Sequence, residues 1–448
     1  MRELLQDAAE RSIRYLERLD ERSVAPSPAA VERLPELGGE LPEDAGDASA
    51  VLGLLDDVGS PATVATAGGR WFGLVIGGSL PVTVAANWLA GAWDQNAGLA
   101  TISPVSAALE QVALRWLLGI FDLPSGSGGS FVTGATMANF TALAAARHAV
   151  LADAGWDVES RGLFGAPAPT VVVGAEAHPT LFRALSLLGL GRDRVARVPV
   201  DGQGRMRADA LPALSKPAIV CIQAGNVNTG AFDPAAEICA AAKAAGAWVH
   251  VDGAFGLWAA AAPERAHLMA GFSRADSWAT DAHKWLNVPY DSGLAFVREP
   301  EALRAALALS AAYLPQGGIR EPSQYTPELS RRARGAEVWA ALRALGRKGL
   351  AEQVERCCRH ATRFAHGLRE AGCEVLNDVV LNQVLVSFGD ADKTRRVIAS
   401  IQADGTCWCG ATLWQDRVAM RISVSSWATT DEDVERSLSA IMRVAAAS

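Results

Sequence analysis

The stretch Ser277-Trp278-Ala279-Thr280-Asp281-Ala282-His283-Lys284-Trp285-Leu286-Asn287-Val288-Pro289 runs a short apolar strand into a lysine held between an imidazole and an indole. The chain has only five lysines, Lys216, Lys243, Lys284, Lys348 and Lys393, and the other four stand beside a charge, a proline or alanines. Partly apolar surroundings lower a lysine's pKa by desolvation and free its amine as a nucleophile, which is what a Schiff-base lysine requires. The same surroundings suit a lysine that snorkels from the edge of a core, and the stretch by itself leaves both readings open.

Outward from this stretch, strand and helix signals alternate. Ser130–Thr133, Thr170–Gly174, Ala196–Val200, Ala218–Gln223, Trp248–Asp252, Ser277–Thr280 and Gly293–Val297 are short apolar runs, most of them separated by helical lengths. Near-continuous apolar strands spaced in this way predict an α/β domain with a mainly parallel, seven-stranded-type sheet and helices on both faces. Residues 1 to about 24 read as an amphipathic helix, and Val82–Trp93 and Ser106–Leu117 as buried helices. Ser330–Leu345 and Ala351–Glu370 read as two more helices. Glu374–Leu376, Val379–Phe388, Ala411–Leu413 and Val418–Val424 read as strands of a small α+β domain closed by a helix over Asp431–Ala445. The expected organisation is an N-terminal helical segment at 1–95 that packs on a partner, a large α/β domain at 96–315, and a mobile loop with the small domain at 316–448. Tyr313–Leu329, with three prolines and two glycines, has the length and composition of a lid.

Composition narrows the function classes. Half of the 448 residues are apolar and a fifth are charged, which is globular and core-rich. A net charge of -8 without any basic run gives no reason to expect nucleic acid. Seven scattered cysteines fit reduced thiols of the cytoplasm better than a disulfide framework, and Cys407-Trp408-Cys409 lacks the second pair that a metal site needs, so no metal is expected. The start of the chain reads as a charged helix, with no signal peptide. Trp71 to Trp93 carries no charge and is long enough to span a bilayer, but Gly77-Gly78-Ser79-Leu80-Pro81 splits it, so it reads as a buried turn and a core helix, not a membrane span.

Four further features can be read together with Lys284. Phe131-Val132-Thr133-Gly134-Ala135-Thr136 passes from a strand through a glycine turn into a helix, where N–H groups and the Thr136 hydroxyl would bind a phosphate. His250-Val251-Asp252-Gly253-Ala254 puts an acid at the carboxyl end of a strand, where such sheets bind ligands and where a carboxylate can keep a pyridine nitrogen protonated. Gly253 and Ala254 leave room for a flat ring. His178, after the strand Thr170–Gly174, could stack on that ring. Asn226, Asn228 and Thr229, after Ala218–Gln223, could hydrogen-bond a ring oxygen or the substrate. Each has an ordinary alternative: a turn, a helix cap or a satisfied polar group.

In this order, glycine turn, histidine, strand-end aspartate and lysine, the chain resembles the fold-type-I pyridoxal-phosphate enzymes, and within them the group II amino-acid decarboxylases. The residues that match are Thr133-Gly134-Ala135-Thr136 with Ala138-Asn139, Ala177-His178, His250-Val251-Asp252-Gly253-Ala254 and His283-Lys284-Trp285. Trp71-Phe72-Gly73, Ser103-Pro104 with Glu110, and Ser330-Arg331-Arg332 with Trp339 match further regions. The resemblance covers roughly residues 65 to 445. It implies pyridoxal 5'-phosphate as cofactor, bound through Lys284 as the Schiff-base lysine, with His178 on one face of the ring, Ala254 on the other, Asp252 at the pyridine nitrogen, and Gly134, Ala135 and Thr136 at the phosphate, next to Asp281 and His283. The implied reaction is decarboxylation of an L-amino acid to its amine, with a loop tyrosine, Tyr325 or else Tyr313, as proton donor.

The chain departs from the family pattern at three points. Asp281 stands where several members have a phosphate-binding asparagine, Gly225-Asn226-Val227-Asn228-Thr229 replaces the usual Gly-Thr-Thr, and Tyr325 lies close to Arg331-Arg332 for a loop tyrosine. An aldehyde synthase or an aminotransferase would use the same cofactor groups, the latter with an arginine such as Arg421 on the substrate carboxylate. A non-enzymatic binding role fits poorly with both the lysine and the aspartate present. By the same resemblance Leu74, Val75, Ile76, Gly77 and Trp93 set side-chain specificity, in part across a homodimer interface with shared active sites. They are mostly apolar, with no cation for a second carboxylate, which leans toward a hydrophobic or aromatic amino acid.

Overall fold

The computed structural model describes residues 1–308 and 320–447. They fall into two units, one made of Ser79–Arg359 with Asn377–Gln383, the other of Met1–Gly78, His360–Leu376 and Val384–Ser448.

The first of these units is built on a seven-stranded sheet: β1 (Gly128–Val132), β2 (Thr170–Gly174), β3 (Ala196–Val198), β4 (Ala218–Gln223), β5 (Trp248–Asp252), β6 (Ser277–Asp281) and β7 (Gly293–Val297). Their order is β1-β7-β6-β5-β4-β2-β3. β7 pairs antiparallel with both β1 and β6, and the remaining pairs are parallel, so only β7 runs against the rest. Gly293, at the start of β7, is in register with Val132 and with Asp281. The carboxyl ends of β1, β2, β4, β5 and β6 therefore share one edge.

The apolar strands bury both faces. On one, Val132, Ala279 and Ala295 meet Ala138 and Ala142 of the helix Ala135–Asp153. Alanine after alanine on that helix lets it lie close to the sheet, and its far end joins Val171, Val173 and Ile219 in a second cluster. On the other face Phe121 meets Phe296 and Trp258 edge to face, with centroids 5.9 and 4.8 Å apart. The long helix Gly335–Glu370 breaks at Gly346, which has φ +58, close to where the sequence predicts a gap between two helices.

The second unit carries a four-stranded sheet of β8 (Glu374–Val375), β9 (Gln383–Ser387), β10 (Gly410–Trp414) and β11 (Arg417–Ser423), in the order β10-β11-β9-β8. Trp71 stacks on Trp408 at 4.3 Å, Phe72 N–H donates to Trp408 O, and Ser423 N–H donates to Phe72 O. A Cβ on Gly73 would reach within 2.2 Å of the Trp408 ring, so only glycine fits there. These contacts group residues 1–78 with the C-terminal sheet, in place of the separate 1–95 segment expected from the sequence. Residues 79–95 and 320–359 belong instead to the seven-stranded unit.

One further expectation is corrected. Pro81–Trp93 is a helix, but it is not a core helix: Val82, Trp88, Leu89 and Trp93 are 40%, 43%, 56% and 43% exposed, and only Thr83 and Ala90 are buried. Among the described residues no helix is long and apolar enough to cross a membrane.

Candidate active site

β6 ends at Asp281 and passes directly into a single helical turn, Ala282–Trp285, that carries Lys284. Trp285 and Leu286 are fully buried on either side of the turn's end, and Gln353 Nε2 donates to Trp285 O at 2.7 Å. This pins the backbone while the Lys284 amine stays partly open. Its Nζ lies 3.0 Å from Asp281 Oδ2. Asp281 Oδ1 accepts the Ala135 N–H at 2.6 Å and lies 3.6 Å from His283 Nε2. Burial lowers the His283 pKa, partly offset by Asp281. His283 Nδ1 accepts the Ser292 N–H, and Tyr290 packs on its ring at 4.3 Å.

The Gly134 turn caps the helix Ala135–Asp153 without a side chain. A Cβ there would come within 3.2 Å of His283 and 3.4 Å of Asp281 Oδ1, and a Cβ on Gly293 would strike the Gly134 backbone at 2.5 Å. The two glycines thus hold a narrow cradle at the positive end of a long helix, beside a lysine.

Asp252, on the neighbouring strand β5, is 3% exposed. Burial pushes its carboxyl above the usual range. The nearby His178 and Lys284, and hydrogen bonds from Asn139 Nδ2 at 3.3 Å and Ala254 N–H at 3.3 Å, act in the opposite direction. His178 caps the helix Pro179–Leu187: its Nδ1 accepts the Thr180 N–H, and it lines a small cavity with Glu176, Gln223 and Asp252. Asn226 is buried in its own turn, where Oδ1 accepts from Asn228 and Thr229 N–H and Nδ2 donates to Glu176 at 3.4 Å.

The sheet edge therefore gathers Gly134, Ala135, Thr136, His178, Asn226, Asp252, Ala254, Asp281, His283 and Lys284. Tyr325 is not brought there. Its ring packs with Ala145, Val297 and Leu303, and Val297 pairs with Ser277 at the opposite edge of the sheet. The Arg320 guanidinium sits 4.2 Å over that ring and holds it. Tyr313 lies outside the described residues. Leu74, Val75, Ile76 and Gly77 belong to the other unit, where Leu74 is exposed and Val75 buried, and Trp93 ends the exposed helix. Arg421 lies on β11, its pKa lowered by burial.

Sequence reasoning gave no role to Asn139, Ser277 or Tyr290. For the first, the match of Ala138-Asn139 to the family was the available signal.

Buried acid, amine and anion-binding turn are the donor set that pyridoxal phosphate requires: an amine for its aldehyde, a carboxylate for its ring nitrogen and N–H groups for its phosphate. Residues 62–389 match the pyridoxal-dependent decarboxylase conserved domain. An L-2,4-diaminobutyrate decarboxylase of Rhizobium meliloti is 30% identical over 371 residues, which is 78% of this chain and 71% of that protein. An aromatic-L-amino-acid decarboxylase of Bacillus atrophaeus is 26% identical over 369 residues, 77% of this chain and 72% of that one. The crystal structure of Oryza sativa TDC with PLP and tryptamine superposes with a TM-score of 0.91 at 21% identity, covering 100% of this chain and 97% of that one.

Proposed function

The chain belongs to the pyridoxal-dependent decarboxylase family, and from that premise we propose how its own residues perform the reaction. The protein is a pyridoxal-phosphate-dependent amino-acid decarboxylase. The observation that most supports the assignment of its residues is the pairing of a buried acid and an amine at the ends of neighbouring strands, Asp252 on β5 and Lys284 after β6, beside the amino terminus of Ala135–Asp153.

When bound, pyridoxal phosphate supplies an electron sink for the pair left as the substrate's Cα–carboxylate bond breaks. Lys284 would hold the cofactor, its amine being the group that an aldehyde takes up. Gly134, Ala135 and Thr136 offer the helix start to the phosphate. Asp252, ionised, would hold a proton on the ring nitrogen. His178 and Ala254 would hold the ring, and Asn226 stiffens its own turn. His283, shielded by Tyr290, is kept neutral by burial and so adds no charge at the phosphate.

The resemblance to the family gives side-chain specificity to Leu74, Val75, Ile76, Gly77 and Trp93, and the absence of charge among them supports a hydrophobic or aromatic L-amino acid as substrate. The working form is a homodimer. The apolar stripe Val82, Trp88, Leu89 and Trp93, left open in one chain, is of the kind that a second copy covers. Seven free cysteines are consistent with the cytoplasm.

The test is an amino-acid panel incubated with the protein and pyridoxal phosphate and scored for CO2. One apolar amino acid is expected to give CO2 and its amine, and Lys284→Ala to give neither. CO2 accompanied by ammonia and peroxide would replace this reading with an aldehyde synthase, and keto-acid-dependent amino transfer with an aminotransferase. A monomeric, fully active species in sedimentation overturns the dimer.

A further inference from the structure

Strand β5 reads Trp248-Val249-His250-Val251-Asp252, and its alternation turns Trp248, His250 and Asp252 to the same face. Four hydrogen bonds then run in one line. Trp248 Nε1 lies 2.9 Å from Ser277 Oγ, and Ser277 Oγ lies 2.9 Å from His250 Nδ1. His250 Nε2 lies 2.9 Å from Asn139 Oδ1, and Asn139 Nδ2 lies 3.3 Å from Asp252 Oδ2. Ser277 reaches His250 because the two are in register across β5 and β6. His250, Asn139 and Ser277 are fully buried.

The ends of this line fix its direction. An indole N–H can only donate, and an ionised carboxylate can only accept. Trp248 therefore donates to Ser277, and the buried Ser277 hydroxyl, whose other partner among the described residues is His250 Nδ1, gives its own proton there. The imidazole is neutral, since burial holds its pKa down to about 3, so its one N–H sits on Nε2 and goes to Asn139 Oδ1. That turns the Asn139 amide so that its N–H faces Asp252. The reverse arrangement, with Asn139 offering its oxygen to a protonated Asp252, puts the imidazole proton on Nδ1, so that Ser277 accepts from both Trp248 and His250 and its own buried proton has no acceptor among the described residues.

We propose that Trp248, Ser277, His250 and Asn139 form a one-way hydrogen-bond line whose function is to hold Asp252 ionised for the cofactor's ring nitrogen. They are positioning residues: they act through Asp252, and the inference rests on the pairing of Asp252 with that nitrogen. Asp252 needs such support because burial alone favours its neutral form.

The test compares equilibrium affinities of the full-length protein, freed of cofactor, for pyridoxal phosphate and for its carbocyclic analogue with C–H in place of the ring nitrogen. The wild-type chain is expected to prefer pyridoxal phosphate. Asn139→Ala should cut that preference by about tenfold or more, the range of a hydrogen bond to a charged group, and leave affinity for the analogue nearly unchanged. Ser277→Ala removes the hydroxyl that holds the imidazole proton on Nε2 and so opens the reverse arrangement, and it should cut the preference by about fivefold. Ser277→Ala serves as the deciding variant if Asn139→Ala does not fold. Equal loss of affinity for both compounds, or a preference that survives both variants, overturns the line. No preference in the wild-type chain overturns the role of Asp252 itself, a different and distinguishable failure.

Discussion

Asp281 divides its two carboxylate oxygens between the Lys284 amine, 3.0 Å away, and the Ala135 N–H, 2.6 Å away. The second of these is the first N–H of the helix proposed to hold the cofactor phosphate, so a carboxylate stands at that proposed anion site. Asp281→Asn keeps an oxygen for Ala135 and removes the charge. Affinity for pyridoxal phosphate should rise by roughly fivefold, the scale of one charge at a helix end. Titration of cofactor fluorescence measures it, and an unchanged or weaker affinity would show that the charge does not oppose the phosphate.

Tyr325 is held by Arg320 against Val297, away from Lys284. Tyr325→Phe preserves the ring and its cation contact. Turnover should stay within about twofold of the wild type, far from the hundredfold scale of a lost general acid, and no peroxide should appear. A large fall in amine formation would return Tyr325 to the reaction.

His250 makes stability depend on pH. Its pKa falls from an ordinary 6.5 to about 3 in the folded chain because burial disfavours the charged form. The unfolded chain therefore binds the extra proton between these values. The stability is fully present above pH 6.5 and is lost as pH falls, by up to about 1.4 kcal/mol per unit. Urea midpoints of the wild type and His250→Gln should diverge in slope below pH 6, the variant being flatter. Parallel curves would mean that His250 is protonated in the folded state.

Arg331 and Glu110 form a buried pair at 2.8 Å, with Arg331 also donating to the carbonyls of Ala97 and Phe131. Arg331→Met strands the Glu110 carboxylate and should cost about 3–5 kcal/mol, whereas Arg331→Met with Glu110→Leu should recover most of it. Thermal unfolding of the two variants decides this; a double variant as unstable as the single would assign the loss to the carbonyl contacts instead.

The parallel strands were legible because both their faces are buried, which leaves unbroken apolar runs such as Ala218–Gln223. β9 was read too long: Val379 has φ +50, and the Asn377 side chain takes up Gln383 O, so pairing begins only at Gln383. Pro81–Trp93 was read as a helix but not as an exposed one, because an apolar face that stays open in the chain has the same composition as one buried in a core. The residues proposed to hold the cofactor stand at strand ends, where the sequence shows them as motifs. The line behind Asp252 was not, since it needs the register of His250 with Ser277 and the arrival of Asn139 from 111 residues away.

The stacking of Trp71 on Trp408 sets a timetable for synthesis. Residues 70–73 leave the ribosome long before Thr406, Trp408 and Ser423, which supply their hydrogen bonds and their ring partner. At ordinary elongation rates that delay is on the order of tens of seconds. For that time two aromatic side chains that end buried have no native neighbour. The nascent chain thus presents a long-lived adhesive segment, and expression yield should respond to chaperone supply and translation speed more than the finished molecule's stability would indicate.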